Sequence, residues 1–237
     1  MKKFILLFVI IVINLSTYAQ INKVAVVTVF GNKMIDGSDF GSVTALRTLA
    51  DDKNFNLDSM VNVFKEKLFR DFSNDFTFSL LEETSVTGNS DYKSYCETEK
   101  GLMADYYYTT PVGYYFLYET NKQSEKLFDI FKNETIDGIM YVSLDYKLYK
   151  TAQIAGFGTA KVYAYVNVKI FNAEGEKIFV LRECGISDNN LKFALGGTVI
   201  EAKEIMPLCS QATANAFIEM KEKLPKSIEK MNKKIKN

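Results

Sequence analysis

Apolar residues run unbroken from Phe4 to Ile13, and a second run, rich in valine, covers Lys23 to Phe30 (KVAVVTVF). A short β-branched run of the second kind predicts a strand buried on both faces, as in the middle of an α/β sheet. Gly31 to Asp52 holds Gly31, Gly37 and Gly41 among polar residues and predicts a long loop, with a short helix near Thr44 to Ala50. The period then changes. Leu57, Met60, Val61, Phe64, Leu68 and Phe72 share one helical face between Asn56 and Ser73. Lys65, Glu66 and Arg70 lie off that face, and Asn56 stands at the N-cap position. Phe76 to Leu81 predicts a second strand.

Glu82 to Asn121 has no clean period and holds eight of the 14 tyrosines. It predicts an insertion, residues 84–121, with a short helix near Tyr92 to Leu102; long connections of this kind are commonly functional. Lys122 to Asn133 predicts a helix with Leu127, Phe128, Ile130 and Phe131 on its apolar side. Asp137-Gly138 turns the chain into a strand from Ile139 to Leu148, and Thr151 to Gly158 reads as a connection. Lys161 to Asn172 alternates strictly. Val162, Ala164, Val166, Val168 and Ile170 point one way, and Tyr163, Tyr165, Asn167, Lys169 and Phe171 the other. Ala173 to Glu176 is a hairpin turn, and Lys177 to Cys184 the returning strand. The end of the chain is helical: Pro207 suits a first turn, Ala212, Ala216, Met220 and Leu224 trace a stripe, and Pro225 predicts a break.

The fold class that follows is a single α/β domain with a mixed sheet, three-layer-like, in the order strand, helix, strand, insertion, helix, strand, hairpin, helix. It occupies residues 20–224. Residues 225–237 form a basic tail. In it Ile228, Met231 and Ile235 make a weak amphipathic stripe that limits any membrane contact to a peripheral one.

Composition narrows the function. The chain has 237 residues, 29 basic against 29 acidic, and no histidine. A balanced charge supplies no field to gather nucleic acid. The missing imidazole excludes Ser-His-Asp, Cys-His and His-metal chemistry. Lys2 and Lys3, the apolar run and the polar stretch Asn14 to Gln20 have the three-part layout of a secretory signal peptide, residues 1–19, cut after Ala19. The apolar run is half of the ~20 residues that a spanning helix needs. No cysteine lies near the cut, so a lipid anchor is not expected. The expected location is periplasmic or secreted. Cys96, Cys184 and Cys209 are either one disulfide plus a free thiol or three small buried hydrophobes; the second reading is preferred, because this aromatic-rich chain needs no staple.

Candidate chemistry is sparse. Gly31 to Gly41 and Gly156-Phe157-Gly158 match neither GxGxxG nor GxxxxGK[ST] and read as turns. The acids Asp36, Asp39, Asp51, Asp52, Asp58, Glu82, Glu83, Asp137 and Asp145 read as solvated groups rather than a hydrolytic pair. The stretch Asp36 to Asp39 lacks the order of a calcium loop. Cys96 has no base beside it. No catalytic, cofactor or metal residue is assigned. The tyrosines remain. Tyr106, Tyr107 and Tyr108 cannot all face inward in one regular element, so Tyr106, Tyr107, Tyr108, Tyr114, Tyr115 and Tyr118 are the expected contact surface.

The opening KVAVVTVF, the Ile136 to Val142 strand entry and the Val162 to Val180 hairpin with Gly175 resemble an α/β domain shared by three groups. These are the curli-secretion channel lipoproteins, the N-terminal domain of the Tol-Pal translocation protein TolB, and the lipoprotein activators of penicillin-binding proteins. The resemblance is one of pattern and covers most of residues 23–224. It implies a largely non-enzymatic role. The expectation is an exported envelope protein that acts as a protein-interaction module, with an envelope protein or a second copy of itself as partner and no cofactor. The alternative is a periplasmic small-ligand or glycan binder that uses the same tyrosines.

Overall fold

A computed structural model describes residues 21–40, 48–101, 103–194 and 200–235. Strand β1 (Lys23–Asn32) is the valine-rich run and is buried along almost its whole length. It pairs in parallel with β2 (Ser79–Leu80) on one side and β4 (Gly138–Ile154) on the other. The short β3 (Tyr108–Thr109) joins its far end in antiparallel fashion. β5 (Phe157–Phe171) and β6 (Lys177–Ile186) extend the sheet in antiparallel fashion, in the order β2-β1-β4-β5-β6, and β7 (Leu191–Ala194) pairs with the first residues of β5. The molecule is a mixed α/β domain.

Helices cover both faces. Helix α1 (Asp58–Arg70) buries Met60, Val61, Phe64 and Leu68 on the face where Gly31 lies under Val61 and Leu57. The long α6 (Ala202–Ile235) lies on the same face. Tyr146 of β4 reaches between the two helices, with its hydroxyl 2.8 Å from Thr213 Oγ1 and 3.2 Å from the Met60 sulfur. Gly185 lets β6 approach the α6 backbone directly: a Cβ there would stand 2.0 Å from the Ala216 nitrogen.

The opposite face carries the insertion: α2 (Glu83–Thr87), α3 (Ser90–Glu99), α4 (Ala104–Tyr107) and β3, followed by α5 (Asn121–Ile130). Two of its bonds start from the β1 bulge. β1 shifts register against β4 between Val26 and Thr28, so Val27 is an extra residue. A bulged residue drops out of the ladder, and the Val27 carbonyl here accepts the Tyr92 hydroxyl of α3 at 2.7 Å. Thr28 Oγ1 donates to the Tyr115 carbonyl at 2.7 Å.

Several expectations change. Asn56 is not the N-cap of α1. Leu57 holds that place without a side-chain bond, and Asn56 Oδ1 accepts the Asp58 N–H just outside it. The strand expected at Phe76–Leu81 shrinks to Ser79–Leu80, because Phe72–Asp75 form a 3-10 turn before it. The helix expected near Tyr92 starts at Ser90, where the Asn89 side chain accepts the N–H groups of Asp91 and Tyr92. Thr151–Gly158 is no connection. β4 and β5 stay paired up to Ile154 and Phe157 and turn through Ala155 and Gly156, both at positive φ, the signature of a two-residue hairpin turn. Of the stretch Thr44–Ala50, residues 44–47 lie outside the described residues; Thr48–Asp51 form a 3-10 turn.

The largest change is at the end. Pro207 is not in the first turn and Pro225 breaks nothing: α6 runs through both to Ile235. An internal proline costs about 3 kcal/mol. Burying a large apolar side chain returns about 1.5–3 kcal/mol, and Leu208, Leu224, Ile228 and Met231 are all buried in the core. Ile228 and Met231 of the basic tail are therefore spent on the protein's own interior. The leader, residues 1–19, lies outside the described residues.

Candidate functional site

The insertion covers only part of its face of the sheet. Beyond Tyr141, whose hydroxyl meets Ser124 of α5 at 3.2 Å, the face of β4, β5 and β6 is open. At the boundary lies a cleft of about 380 Å³. Such clefts, of a few hundred Å³ with an apolar wall and a few convergent polar groups, are the usual form of a ligand site.

The wall comes from the insertion and β1. Tyr108 and Phe116 stack with ring centres 3.7 Å apart, Phe30 meets both edge-on, and Tyr118 stands edge-on to Phe116. Tyr118 is 54% exposed, so its ring is available. Burial, helped by the nearby Tyr118 and Asp145, raises the Tyr108 phenol above its ordinary value.

The floor is polar and comes from four strands. Asp145 Oδ1 accepts from Asn32 Nδ2 at 3.2 Å; its Oδ2 accepts from Ser143 Oγ and from Asn167 Nδ2, both at 2.9 Å. Arg182 of β6 lies beside this network with its guanidinium 4.4 Å from the Tyr165 ring centre. At the rim Lys169 pairs with Glu119. Asp145 and Arg182 have no ion-pair partner among the described residues. The carboxylate is held by neutral donors, which fixes it as an acceptor. The stacked guanidinium keeps its donors free on the open side.

The cleft continues onto the open face as a row of half-buried tyrosines. Tyr149 and Tyr163 pack with ring centres 4.4 Å apart, the Tyr149 and Tyr165 hydroxyls meet at 3.2 Å, and Lys147 lies 4.5 Å over Tyr149. Burial, then the bond to Tyr149, raises the Tyr165 phenol.

The expected contact tyrosines separate. Tyr108 and Tyr118 line the cleft. Tyr106 and Tyr107 pack edge-on to each other, away from it, and the Tyr106 hydroxyl binds Asp51. Tyr115 lies edge-on to Tyr92. Tyr114 is buried, and its hydroxyl has no hydrogen-bond partner among the described residues. Tyr114 and Tyr92 therefore make opposite predictions. Tyr92→Phe strands the Val27 carbonyl and is expected to cost about 1–3 kcal/mol. Tyr114→Phe removes an unpaired hydroxyl and is expected to be neutral or to stabilise by up to about 1 kcal/mol. Urea unfolding of the two variants checks both signs.

Sequence reasoning missed Asn167 and Arg182 as site residues and ranked Asp145 only among solvated acids. It did carry one signal. The alternation over residues 161–172 already placed Tyr163, Tyr165, Asn167 and Lys169 together on one face, opposite the aliphatic positions.

Other candidates are absorbed structurally. Asp36 and Asp39 both pair with Lys147, at 3.3 and 3.9 Å. Asp137 accepts the N–H groups of Asn22 and Lys23 at the start of β1. Glu83 pairs with Lys65 at 2.8 Å. No cluster of metal-ligating side chains exists among the described residues. All three cysteines are free thiols, with Cys96 and Cys209 buried and Cys184 half-buried. Burial pushes the Cys96 thiol up to about 12, which keeps it protonated and a poor nucleophile.

No protein-family model matches this chain, and no curated protein matches it. Among solved structures, the hypothetical protein CT253 from Chlamydia trachomatis is 10% identical, with a TM-score of 0.34, over 92% of this chain and 96% of its own. Lipoprotein GNA1162 from Neisseria meningitidis is 11% identical, with a TM-score of 0.28, over 75% of this chain and 86% of its own. Likeness this remote assigns neither a family nor an activity. No described helix is long and apolar enough to cross a membrane.

Proposed function

We propose that this chain is an exported, non-catalytic envelope protein that holds a segment of a partner protein in the cleft between the insertion and the open sheet face. One observation carries the reading. An aromatic wall faces a hydrogen-bonding floor on which Asp145 and Arg182 lack ion-pair partners among the described residues. A peptide segment supplies what such a surface lacks: backbone donors and acceptors for the floor, and side chains for the tyrosines. Aromatic and arginine side chains at an open surface are also the residues on which interface energy concentrates. The absence of histidine from the sequence and the protonated, buried Cys96 support a role without catalysis. The leader pattern at residues 1–19 supports export; N-terminal sequencing of the exported protein is expected to begin at Gln20.

The test is crosslinking in living cells with a tagged copy at native level. Envelope proteins, or a second copy of the chain, are expected to be recovered with the wild type and lost with Tyr118→Ala/Arg182→Ala. Equal recovery with the double variant contradicts the reading.

A second reading, glycan binding, is favoured by the exposed ring of Tyr118 beside the amides of Asn32 and Asn167. The chain has no tryptophan to mask tyrosine emission, and a change that is lost in Tyr118→Ala assigns the signal to the site among the 14 tyrosines. Titration with envelope glycans shifts or quenches it if this reading holds. A flat response across a panel removes it.

A further inference from the structure

The β4–β5 hairpin closes at one end of the sheet, with β7 paired against β5 as far as Phe157. At its tip Ile154 is 81% and Phe157 69% exposed, the pair that flanks the two-residue turn. Large apolar side chains bared side by side at a hairpin tip point to a surface that leaves water. Residues 151–160 (TAQIAGFGTA) carry no charge. Behind them stand Lys150 and Lys161 on the two hairpin strands and Lys192 on β7, with no acid among residues 150–161 or 191–194. None of the three lysines forms an ion pair among the described residues. Lys150 lies over the Phe40 ring at 5.1 Å, and Lys161 donates to the Asp188 carbonyl at 3.3 Å. Tyr149 stands opposite Lys161, and Tyr163 packs against Tyr149 one step further back.

The base is braced. Phe193 of β7 packs edge-on to Phe40 with ring centres 4.8 Å apart. A Cβ on Gly158 would meet the Phe193 ring at 2.5 Å, so β7 lies tightly against the hairpin. The base of the tip is thus packed in place.

We propose that this hairpin tip seats the protein on the surface of an anionic lipid bilayer. The occupant follows from the order of side chains along the hairpin. Apolar residues come first and lysines behind them, with Tyr149 level with Lys161, which matches an acyl boundary followed by an interface of charged headgroups and aromatic rings. At about 3.3 Å per residue, Lys192, opposite Thr159, stands roughly 7 Å behind the tip, and Lys150 and Lys161 stand roughly 13 Å behind it. That distance spans a headgroup layer of about 5–8 Å once the tip has entered the acyl boundary and the lysine stems have stretched toward the phosphates. In the basic tail, Ile228 and Met231 are buried in the core and are not available for this contact.

The test uses the full mature chain and vesicles of phosphatidylcholine with or without phosphatidylglycerol. Flotation with the anionic vesicles and little with the neutral ones is expected. Ile154→Ser/Phe157→Ser is expected to lower the bound fraction at least tenfold, and Lys150→Gln/Lys161→Gln/Lys192→Gln to abolish the preference for anionic lipid. All five side chains lie at or near the surface, and unchanged melting confirms folding. Phe157→Trp places a single tryptophan at the tip, and its emission is expected to move to shorter wavelength on anionic vesicles and to be quenched by brominated acyl chains. Wild type that stays off anionic vesicles overturns the proposal. So does a serine variant that floats like wild type, a lysine variant that keeps the preference, or a Phe157→Trp emission that does not move.

Discussion

Gly185→Ala is expected to destabilise the protein by about 3 kcal/mol or more, and Gly185→Val to prevent folding. The added Cβ would stand 2.0 Å from the Ala216 nitrogen, 2.1 Å from the Ala212 carbonyl oxygen and 2.6 Å from the Asn215 carbonyl carbon. All three are backbone atoms of one helix, so no side chain can turn away, and α6 must lift off β6. Overpacking in cores that can adjust costs about 1–3 kcal/mol; here the adjustment would have to move a helix that buries Cys209, Ala212, Ala216 and Met220. Gly101→Ala, where a Cβ meets nothing within 4 Å, is the control. Thermal melting checks both. A Gly185→Ala variant that melts with the control would show that α6 does not sit on β6 as described.

The second large effect is alkaline unfolding. Burial raises the phenols of Tyr92, Tyr114, Tyr141 and Tyr146 and the thiols of Cys96 and Cys209 above their ordinary values of 10.0 and 9.0. These groups are neutral when protonated, so below pH 9 they cost the native state nothing. As pH rises past 9 the unfolded chain releases their protons first and is favoured. Each group still protonated in the native state then removes about 1.4 kcal/mol of stability per pH unit. Six such groups exhaust the roughly 5–15 kcal/mol of an ordinary domain within about two pH units above 10. The share of phenolate absorbance that belongs to the four buried tyrosines is expected to grow together with the loss of far-ultraviolet dichroism. Ionisation of all the phenols, the buried four included, with the fold intact would contradict the packing.

Much of this architecture is legible in the chain, and the parts that are not have physical causes. β1, α1 and the β5–β6 hairpin show because one pattern, β-branched, helical or alternating, dominates each. α6 is hidden by Pro207 and Pro225, whose local cost is outweighed only by tertiary burial. The outer half of the β4–β5 hairpin is hidden because Gly156 reads as a loop signal, although a hairpin turn uses that same freedom of φ. The cleft is half legible. Tyr108 and Tyr118 come from the segment that composition singles out. Asp145, Asn167 and Arg182 lie on three strands and meet only through pairing, Ser143 opposite Asn167 and Asn167 opposite Arg182. Local sequence carries no trace of such a register.

The central claim is that the cleft and the open sheet face are where a partner binds. Its most direct measurement places a photocrosslinking amino acid, in living cells, at Tyr118 on the wall, at Tyr165 on the open face, and at Ile218, which is 57% exposed on α6 on the opposite face. Discrete adducts from positions 118 and 165, with none from 218, are the expected result. Adducts from 218 alone, or equal patterns from all three, would place recognition elsewhere and contradict the account.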